Sequence, residues 1–477
     1  MKKIFFMKNG SKIIAAALAG IMLLSVAGCS SNNTNAPSPE APPASEAAPA
    51  PEGAEASSGP EAGFEFPTED ITLTFSWWGS DSRHEAFQNV IDLYTAKHPN
   101  VTIEPDYGAF DSWTQKIQTQ LGGQEEADVM QVNYNWVHSF GKGQNVFADL
   151  NQYGHIIDLS NWPQTDLDSM STGGELGAVP HGTNARVFYY NKPLFEGAGI
   201  EYPKTYAELI EAGKVISANN TPTGADNKYV HINVGTPTQN VATDLFIAQM
   251  LYDKTGKVMQ ENGVVNYTIE EVAGVLNTYK SFEDAGAFPT YQQDDPIQNE
   301  SNPLWTSGRV GSVFEWVGTM DKYLDSYKDG TAKDEIVVAP YITEVEGQEV
   351  KIYAKPSLGY AVSRNSEYPE VAADFINFMF TDEEAILALG TSLGVSSHKA
   401  TREVQEREDF VKGAMKMGYD LLTNYELVIM DPYFEDENIR GQRYIAIEEF
   451  RSGKSDAQAA AKIYIENQQA ELDKLLK

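Results

Sequence analysis

Apolar and polar residues alternate from Ile71 to Trp78, and this period of two predicts a β-strand. Trp77 continues the apolar face of the strand and is expected in the core, whereas Trp78 falls on the opposite face at the end of the strand. Ser82 and Glu85 have the spacing of a capping box, which predicts that a helix follows at once. The folded part of the chain is therefore expected to open with a strand and a helix.

The alternation of strand and helix continues along the chain. Strands are predicted at 101–107 and 127–132, with a helix at 110–121 between them. This β-α-β-α-β order is typical of a parallel sheet covered by helices. The second half is also expected to be α/β, with a helical end. It has predicted strands at 187–190, 229–234, 310–316, 336–339 and 359–363, and helices at 205–217, 238–252, 268–285, 368–380, 382–391, 403–422 and 456–476.

Aromatic and short polar side chains gather at the ends of the first three strands. In open α/β sheets, ligands bind beyond the carboxyl ends of the strands. These side chains therefore predict a ligand site, although each of them could instead be a packed loop residue. They are Trp78 and Asp81 after the first strand, Tyr107 at the end of the second, and Asn133, Tyr134 and Trp136 after the third.

The N-terminus has the pattern of an export signal. Residues 1–12 contain four lysines and no acid, and residues 13–27 are almost all apolar. Fifteen helical residues span about 22 Å, less than the roughly 30 Å of a membrane core. Residues 24–29, LSVAGC, resemble a bacterial lipobox, which predicts removal of residues 1–28 and lipidation of Cys29. Residues 29–66 contain no Lys or Arg, are rich in Pro, Ala, Ser and Glu, and are expected to form a disordered tether to the extracytoplasmic face of the cell membrane.

Length and composition narrow the classes of function. A chain of 477 residues is long enough for two globular lobes. Its net charge of −33 argues against nucleic-acid binding and weakly disfavours a highly anionic ligand. The 7 Trp and 24 Tyr residues would suit stacking on flat ligand faces. A single cysteine excludes an intrachain disulfide, and the scattered histidines predict neither a metal site nor another cofactor.

Three stretches together resemble the extracellular solute-binding proteins of ABC importers, in the sugar-binding family that includes the maltodextrin-binding proteins. They are WWGSDSRH at 77–84, ADVMQVNY at 127–134 and NARVFYYNK at 184–192. The resemblance covers roughly residues 68–477. It implies a two-lobed, periplasmic-binding-protein-like α/β fold with a hinge between the lobes and a helical C-terminus. By the same resemblance, the chain crosses between the lobes near 184–188, 352–358 and 396–402. The N-terminal lobe then contains 68–184 and 356–398, and the C-terminal lobe contains 186–352 and 400–477.

The resemblance also implies which residues line the cleft between the lobes. The cleft aromatics of the family fall on Trp316 and Tyr134, and its polar groups at strand ends fall on Asp81, Asn133 and Asn184. Tyr360 lies where the chain re-enters the first lobe. For the late C-terminal aromatic of the family, Tyr433 and Arg440 are only candidates. Aromatic rings would stack on the C–H faces of a sugar, with Trp78 and Trp316 as platforms, and carboxylate and amide groups would bind its hydroxyls.

The implied function is capture of an oligosaccharide by a monomer and its delivery to the membrane subunits of an ABC importer. Individual residues have other interpretations: Trp316 could belong to the core, Asp81 could cap a helix, and Asn184 could belong to the hinge. Arg83 is expected to pair with Glu85 on the surface. The same fold could bind a polyamine, a phosphodiester or a peptide. A carbohydrate-active enzyme is a further alternative, but the sequence contains no P-loop or zinc-protease motif.

Overall fold

The computed structural model describes residues 64–110, 113–144, 146–218, 241–294, 297, 300–306, 310–326 and 335–476. Contacts between Cα atoms divide the chain into Met1–Pro60 and Glu61–Lys477, and all described residues belong to the second unit. The predicted signal peptide, Cys29, nearly all of the tether and the strand predicted at 229–234 lie outside the described residues.

Strands and helices alternate through most of the described chain. The strands are β1 Ile71–Trp78, β2 Val101–Gly108, β3 Val129–Val132, β4 Ser171–Thr172, β5 Glu175–Leu176, β6 Val179–Pro180, β7 Thr183–Asn191, β8 Gln260–Glu261, β9 Val264–Val265, β10 Ser312–Trp316, β11 Ile336–Val338, β12 Lys351–Pro356, β13 Gly359–Val362 and β14 Glu426–Ile429. The helices are α1 Asp81–Lys97, α2 Trp113–Gly123, α3 Tyr134–Gln144, α4 Gln164–Ser169, α5 Lys192–Ala198, α6 Tyr206–Ala218, α7 Val241–Thr255, α8 Ile269–Asp284, α9 Pro303–Thr306, α10 Met320–Ser326, α11 Pro369–Thr381, α12 Glu383–Leu389, α13 Lys399–Arg407, α14 Gly413–Leu422, α15 Glu437–Arg451, α16 Ala457–Lys462 and α17 Gln468–Leu475.

The first sheet has the strand order β2-β1-β3-β13-β6. β1 runs parallel to both β2 and β3, as the β-α-β-α-β pattern predicts, and β13 and β6 complete the sheet with antiparallel pairings. Trp77 is fully buried, which confirms its predicted place in the core. Trp78 is also buried, contrary to the exposure that the alternation suggests. Helices and loops cover both faces of a parallel sheet, so residues on its two faces can be buried alike.

Helix α1 begins two residues earlier than the sequence predicts. Asp81 is its first residue and Ser80 is the N-cap, so the predicted capping box of Ser82 and Glu85 is wrong. The apolar face of the helix packs as expected, with Phe87, Val90, Ile91 and Tyr94 buried. The shift places Gly79 and Ser80 in the turn directly after β1.

The second sheet has the order β10-β7-β12-β14, and β11 also pairs with β7. β7 is antiparallel to β10 and β12, whereas β12 is parallel to β14. The spacing of Thr268 and Glu271 in the sequence predicts a capping box, and the structure confirms it at the start of α8. Helices α15 to α17 complete this half of the molecule, so the helical C-terminus is also confirmed.

Strands β7 and β12 lie side by side where the chain passes between the two sheets. Asn184 pairs with Lys355, and Thr183 pairs with Pro356. The chain enters β7 from β6 of the first sheet and leaves β12 for β13 of the same sheet. These two passages fall close to the crossings expected at 184–188 and 352–358.

The third passage lies later than the predicted crossing at 396–402. Helix α13 packs against α11 and α12, whereas α14 packs against α10 and β11. The chain therefore passes over at residues 408–412, and the single helix predicted at 403–422 is wrong, because α13 ends at Arg407 and α14 begins at Gly413. We accordingly place α13 with the first lobe.

Among the described residues, no helix has both the length and the apolar character needed to cross a membrane.

Candidate ligand-binding cleft

A cavity of about 510 Å³ opens beside the paired strands β7 and β12. Trp78 and Arg83 line it from the side of the first sheet, and Trp316, Lys322 and Lys355 line it from the side of the second. Its volume is within the usual range for small-molecule sites, and residues from both halves of the molecule converge on it. Its described lining is completed by Gly79, Ser80, Phe110, Asn133, Asn184, Glu300, Gly318, Thr319, Ser357, Leu358 and Leu393.

Trp78 and Phe110 form an aromatic wall of the cavity, and Trp136 packs on Trp78 outside its described lining. The ring of Trp78 lies 5.7 Å from that of Phe110 and 5.2 Å from that of Trp136, measured between centroids. Trp78 is only 8% exposed because these neighbours cover it, whereas Phe110 is 45% exposed. A ring this exposed at the mouth of a cavity offers a face on which a flat ligand can stack.

The indole of Trp316 faces the cavity from the end of β10. The Nζ atom of Lys355 lies 4.8 Å from the centre of its ring, and the guanidinium carbon of Arg186 lies 5.0 Å away. These cation–π contacts orient the ring while leaving it partly exposed. Trp316 packs against the core but is not enclosed by it, so it combines the two roles that the sequence left open.

Two asparagines supply amide groups to the cavity. The Oδ1 atom of Asn184 accepts a hydrogen bond from the backbone N–H of Gly318 at 3.2 Å, and that of Asn133 accepts one from the N–H of Tyr134 at 2.9 Å. Each of these bonds uses one lone pair of the amide oxygen, and the Nδ2 groups are separate donors. Neither Nδ2 group has a partner among the residues that the structure describes. Asn184 thus belongs both to the strand crossing and to the lining of the cavity.

Arg83 lies in the cavity wall and not on the outer surface, so the expected surface pair with Glu85 is wrong. Its Nε and Nη2 atoms donate to the carbonyl oxygen of Ser392 at 3.1 and 2.8 Å, and Nη1 donates to that of Trp78 at 3.3 Å. Burial lowers the pKa of Arg83 from its ordinary value. The arginine is therefore held by backbone carbonyls at the edge of the site.

Positive charge also surrounds the floor of the cavity. Lys355 forms an ion pair with Glu435, and Arg186 forms one with Glu315 at 3.3 Å. Burial opposes ionisation of Glu435, but the combined attraction of Lys355, Arg440 and Arg186 outweighs it and lowers the pKa of Glu435. Burial lowers the pKa of Lys355 as well, to which the same two arginines add. Both shifts have the direction expected where cations outnumber carboxylates.

The structure brings four of the predicted site residues together. Trp78, Asn133, Asn184 and Trp316 line the same cavity. The remaining four lie elsewhere: Asp81 is exposed in the first turn of α1, and Tyr107 is 50% exposed with its ring stacked 4.9 Å from that of Trp77.

Tyr134 and Tyr360 are buried and do not belong to the described lining of the cavity. The hydroxyl of Tyr134 donates to the carbonyl oxygen of Asp431 at 3.2 Å, which links α3 to the loop after β14. Tyr360 packs edge-on against Phe87 and Phe380 inside the first half of the molecule. Both tyrosines therefore pack behind the described lining of the cavity and are not part of it.

A second, smaller cavity of about 210 Å³ adjoins the first and shares Phe110 and Asn133 with it. Trp136 and Glu435 line it, as does Arg440, one of the two late candidates from the sequence. Tyr433, the other candidate, is not in its described lining. Together the two cavities form an elongated cleft, which suits a ligand longer than one ring.

Sequence reasoning missed Lys322, Lys355 and Glu300 as cleft residues. Lys355 falls in the crossing predicted at 352–358. This position between the lobes was the one signal in the sequence that could have identified it as a cleft residue. Lys322 lies on α10 directly after the Trp316 strand. No local pattern distinguishes these charged residues from the many others on the surface.

Comparison with known proteins identifies the chain's relatives. The family model described as bacterial extracellular solute-binding protein matches residues 80–386. A binding protein of Brucella abortus is 24% identical over 232 residues, which are 48% of this chain and 53% of that protein. The chain thus spans about half the length of this relative. The arabinooligosaccharide-binding protein of Halalkalibacterium halodurans is 22% identical over 337 residues, or 68% of this chain and 71% of that one.

Among solved structures, the chain is similar to a periplasmic oligogalacturonide-binding protein of Yersinia enterocolitica in complex with saturated digalacturonic acid. The TM-score is 0.76 at 24% identity, with 85% of this chain and 100% of that chain covered. At this level of identity the likeness concerns the fold. It confirms the two-lobed, periplasmic-binding-protein-like α/β architecture, in which the two cavities lie between the lobes.

Proposed function

Since the chain belongs to the bacterial extracellular solute-binding proteins, we propose that it captures an oligosaccharide in the cleft outside the cytoplasm. It then presents the sugar to the membrane subunits of an ABC importer. The observation that carries this proposal is the shared cavity of Trp78, Asn133, Asn184 and Trp316, to which both lobes contribute.

The chemistry of the cavity suits a carbohydrate. A sugar ring has apolar C–H faces and a belt of hydroxyl groups. Phe110 and Trp316 offer partly exposed aromatic surface for the faces, and the amide N–H groups of Asn133 and Asn184 can donate to hydroxyl oxygens. The adjoining second cavity extends this lining beyond one ring, which favours an oligosaccharide over a monosaccharide.

A ligand in this position would stabilise the closed form of the protein. It would contact Trp78 of the first lobe and Trp316 of the second at once, so it binds best when the lobes are together. The paired strands β7 and β12 connect the lobes and are the natural hinge. The closed body is then the form that an importer recognises, and the protein acts as a monomer that releases the sugar unchanged.

Relatives support a sugar over the alternatives. One binds an arabinooligosaccharide by its name, and a structural neighbour holds digalacturonic acid. A polyamine is disfavoured because Arg83, Lys322 and Lys355 line the cavity and would repel a polycation. A carbohydrate-active enzyme is disfavoured by membership of a family of solute-binding proteins.

The proposal is tested by a thermal-shift screen against neutral and acidic oligosaccharides, followed by calorimetry of the hits. A ligand that binds the native state and not the unfolded chain raises the melting temperature, and the rise continues as the ligand concentration increases above Kd. Chromatography of the sugar after prolonged incubation separates a binder, which returns it unchanged, from an enzyme, which yields products. Failure of every sugar to shift the melting temperature would contradict the proposal.

We also propose that Cys29 carries a lipid anchor after removal of residues 1–28. The support for this is the lipobox-like sequence at 24–29 and the lysine-rich N-terminus before it. In cells, Cys29→Ala is expected to move the protein from the membrane fraction to the soluble extracytoplasmic fraction. An unchanged membrane association would remove Cys29 as the anchor.

A further inference from the structure

Two cations face the main cavity from opposite lobes. Arg83 lies on α1 of the first lobe, and Lys322 lies on α10 of the second. The side chain of Lys322 is exposed. Partial desolvation by neighbouring protein atoms lowers its pKa below the usual value, and the positive charge of Arg83 lowers it further. Two like charges that face one cavity disfavour closure of an empty cleft.

Among the residues that the structure describes, no carboxylate forms a salt bridge with either cation. Glu300 and Glu315 act on Lys322 only from a distance, since neither is within salt-bridge range of it. The side chain of Lys322 makes no hydrogen bond to any described residue. Arg83 donates to the backbone carbonyls of Ser392 and Trp78 and to no acid. In a chain of net charge −33, two uncompensated cations in one cavity require an explanation.

Two amide groups of the cavity can also donate hydrogen bonds. The Nδ2 groups of Asn133 and Asn184 have no described partner, and their oxygen atoms are engaged by backbone N–H groups. The carboxylate of Glu435 is already paired with Lys355. With Lys355 paired, the described lining retains Arg83 and Lys322 against Glu300 as its single acid, so the cavity presents a surplus of positive charge.

We propose that the ligand carries a carboxylate group, which binds between Arg83 and Lys322. This inference rests on the proposed function and specifies the class of sugar as an acidic oligosaccharide built of uronate units. An arginine can hold such a carboxylate with charge-assisted hydrogen bonds, and a lysine adds a point charge. The overall negative charge, which weakly disfavours an anionic ligand, acts at longer range and is screened beyond about 8 Å at physiological ionic strength.

Such a ligand would couple binding to closure. The carboxylate neutralises one cation from each lobe and thereby removes the repulsion between them. Its affinity for the closed form is then much higher than for the open form, which is the condition for shifting the population. The aromatic rings of Trp78 and Trp316 would contribute equally to an acidic sugar and to a neutral one.

The test compares uronate oligosaccharides with neutral ones that have the same ring stereochemistry, for example digalacturonate with galactobiose. Isothermal titration calorimetry is carried out on the full chain without residues 1–28, at low and at physiological salt. Lys322→Met is the diagnostic variant, because the side chain of Lys322 has no hydrogen bond or salt bridge to a described residue that the substitution would break. Lys462→Met on α16, 61% exposed, is the matched control for the loss of one positive charge.

We expect the uronate to bind at least about tenfold more tightly than its neutral counterpart, with an affinity that falls as salt rises. Lys322→Met is expected to weaken binding of the uronate by about tenfold or more, because a hydrogen bond to a charged group is lost, and to weaken binding of the neutral sugar by less. Lys462→Met should behave like the native chain.

A neutral oligosaccharide that binds as tightly as its uronate counterpart, with no effect of Lys322→Met, would overturn the acidic-sugar inference and leave the proposed function intact. If neither the uronate oligosaccharides nor the neutral ones bind, the proposed function is overturned and this inference with it.

Discussion

The ammonium group of Lys355 and the carboxylate of Glu435 form an ion pair that is almost removed from solvent, with side chains 13% and 10% exposed. Lys355 belongs to the hinge strand β12, and Glu435 lies just before α15. The same ammonium group lies 4.8 Å from the ring centre of Trp316. The ion pair therefore connects the hinge strand, the C-terminal helices and the indole ring of Trp316 in the cleft.

Removing the charge of Glu435 is expected to destabilise the protein. Glu435→Gln leaves Lys355 buried without its counter-ion, near two further cations, and such a loss typically costs about 3–5 kcal/mol. The measurement is the free energy of unfolding in urea at neutral pH. Glu466→Gln on the surface, whose partner Lys462 lies 3.8 Å away, is the control and should cost less than about 0.5 kcal/mol. Equal effects of the two variants would contradict the structural role of the pair.

Truncation of Trp316 is expected to abolish most of the sugar affinity. Trp316→Ala removes aromatic surface at the cavity, and a central aromatic contact of this kind contributes about 2 kcal/mol, or roughly thirtyfold in Kd. Calorimetry with the best sugar of the screen measures the change. Tyr107→Ala is the matched control, because Tyr107 is an exposed aromatic at a strand end that does not line the cavity. If Tyr107→Ala weakens binding as much as Trp316→Ala, the cavity is not the site.

The sequence predicted the fold far better than the site. Period-two alternation at 71–77 and capping chemistry at Thr268 are local signals, and the structure confirms both. Helix α15 escaped prediction because its start, DENIRG at 436–441, has the composition of a loop, whereas Asp436 caps the helix through two backbone N–H groups.

The site depends on contacts that no local pattern contains. Arg83, Lys322 and Lys355 are far apart in sequence and meet only because three separate elements converge on the cleft. Tyr107 satisfied the rule for strand ends, but its ring stacks on Trp77. Tyr360 was placed by the family resemblance where the chain re-enters the first lobe, but the core encloses it. Predicting the cleft therefore required the relative placement of the two sheets.

Gly182 is expected to tolerate no side chain, because it lies in the tight passage between β6 and β7. A Cβ atom there would stand 2.1 Å from the carbonyl oxygen of Val395, so Gly182→Ala must displace backbone at the crossing. We expect a loss of about 1–3 kcal/mol in the free energy of unfolding, measured with urea. Gly197→Ala in α5 meets no atom within 4 Å and should be neutral or stabilise the protein by about 0.5–1 kcal/mol. A native-like stability of Gly182→Ala would show that the passage is looser than described.

Two buried histidines, His181 just before β7 and His398 just before α13, are expected to make the stability of the protein depend on pH. Burial lowers the pKa of His181 to about 4, and it lowers the pKa of His398 to about 4 as well. In the unfolded chain both titrate near 6.5, so between roughly pH 6.5 and 4 the unfolded state binds protons that the native state refuses. Stability is then fully present above pH 6.5 and is lost as the pH falls, by on the order of 2–3 kcal/mol for each histidine.

The measurement is the free energy of unfolding in urea at a series of pH values from 7 to about 4.5. Asp253 works in the opposite direction, because burial raises its pKa to about 7 and protonation on acidification favours the native state. The informative quantity is therefore the difference between the native chain and His181→Gln, which should shrink as the pH falls. His155→Gln is the control, because His155 is partly exposed beside Glu370. A difference that stays constant from pH 7 to 4.5 would mean that His181 accepts its proton in the folded state, and the crossing would then be open to water.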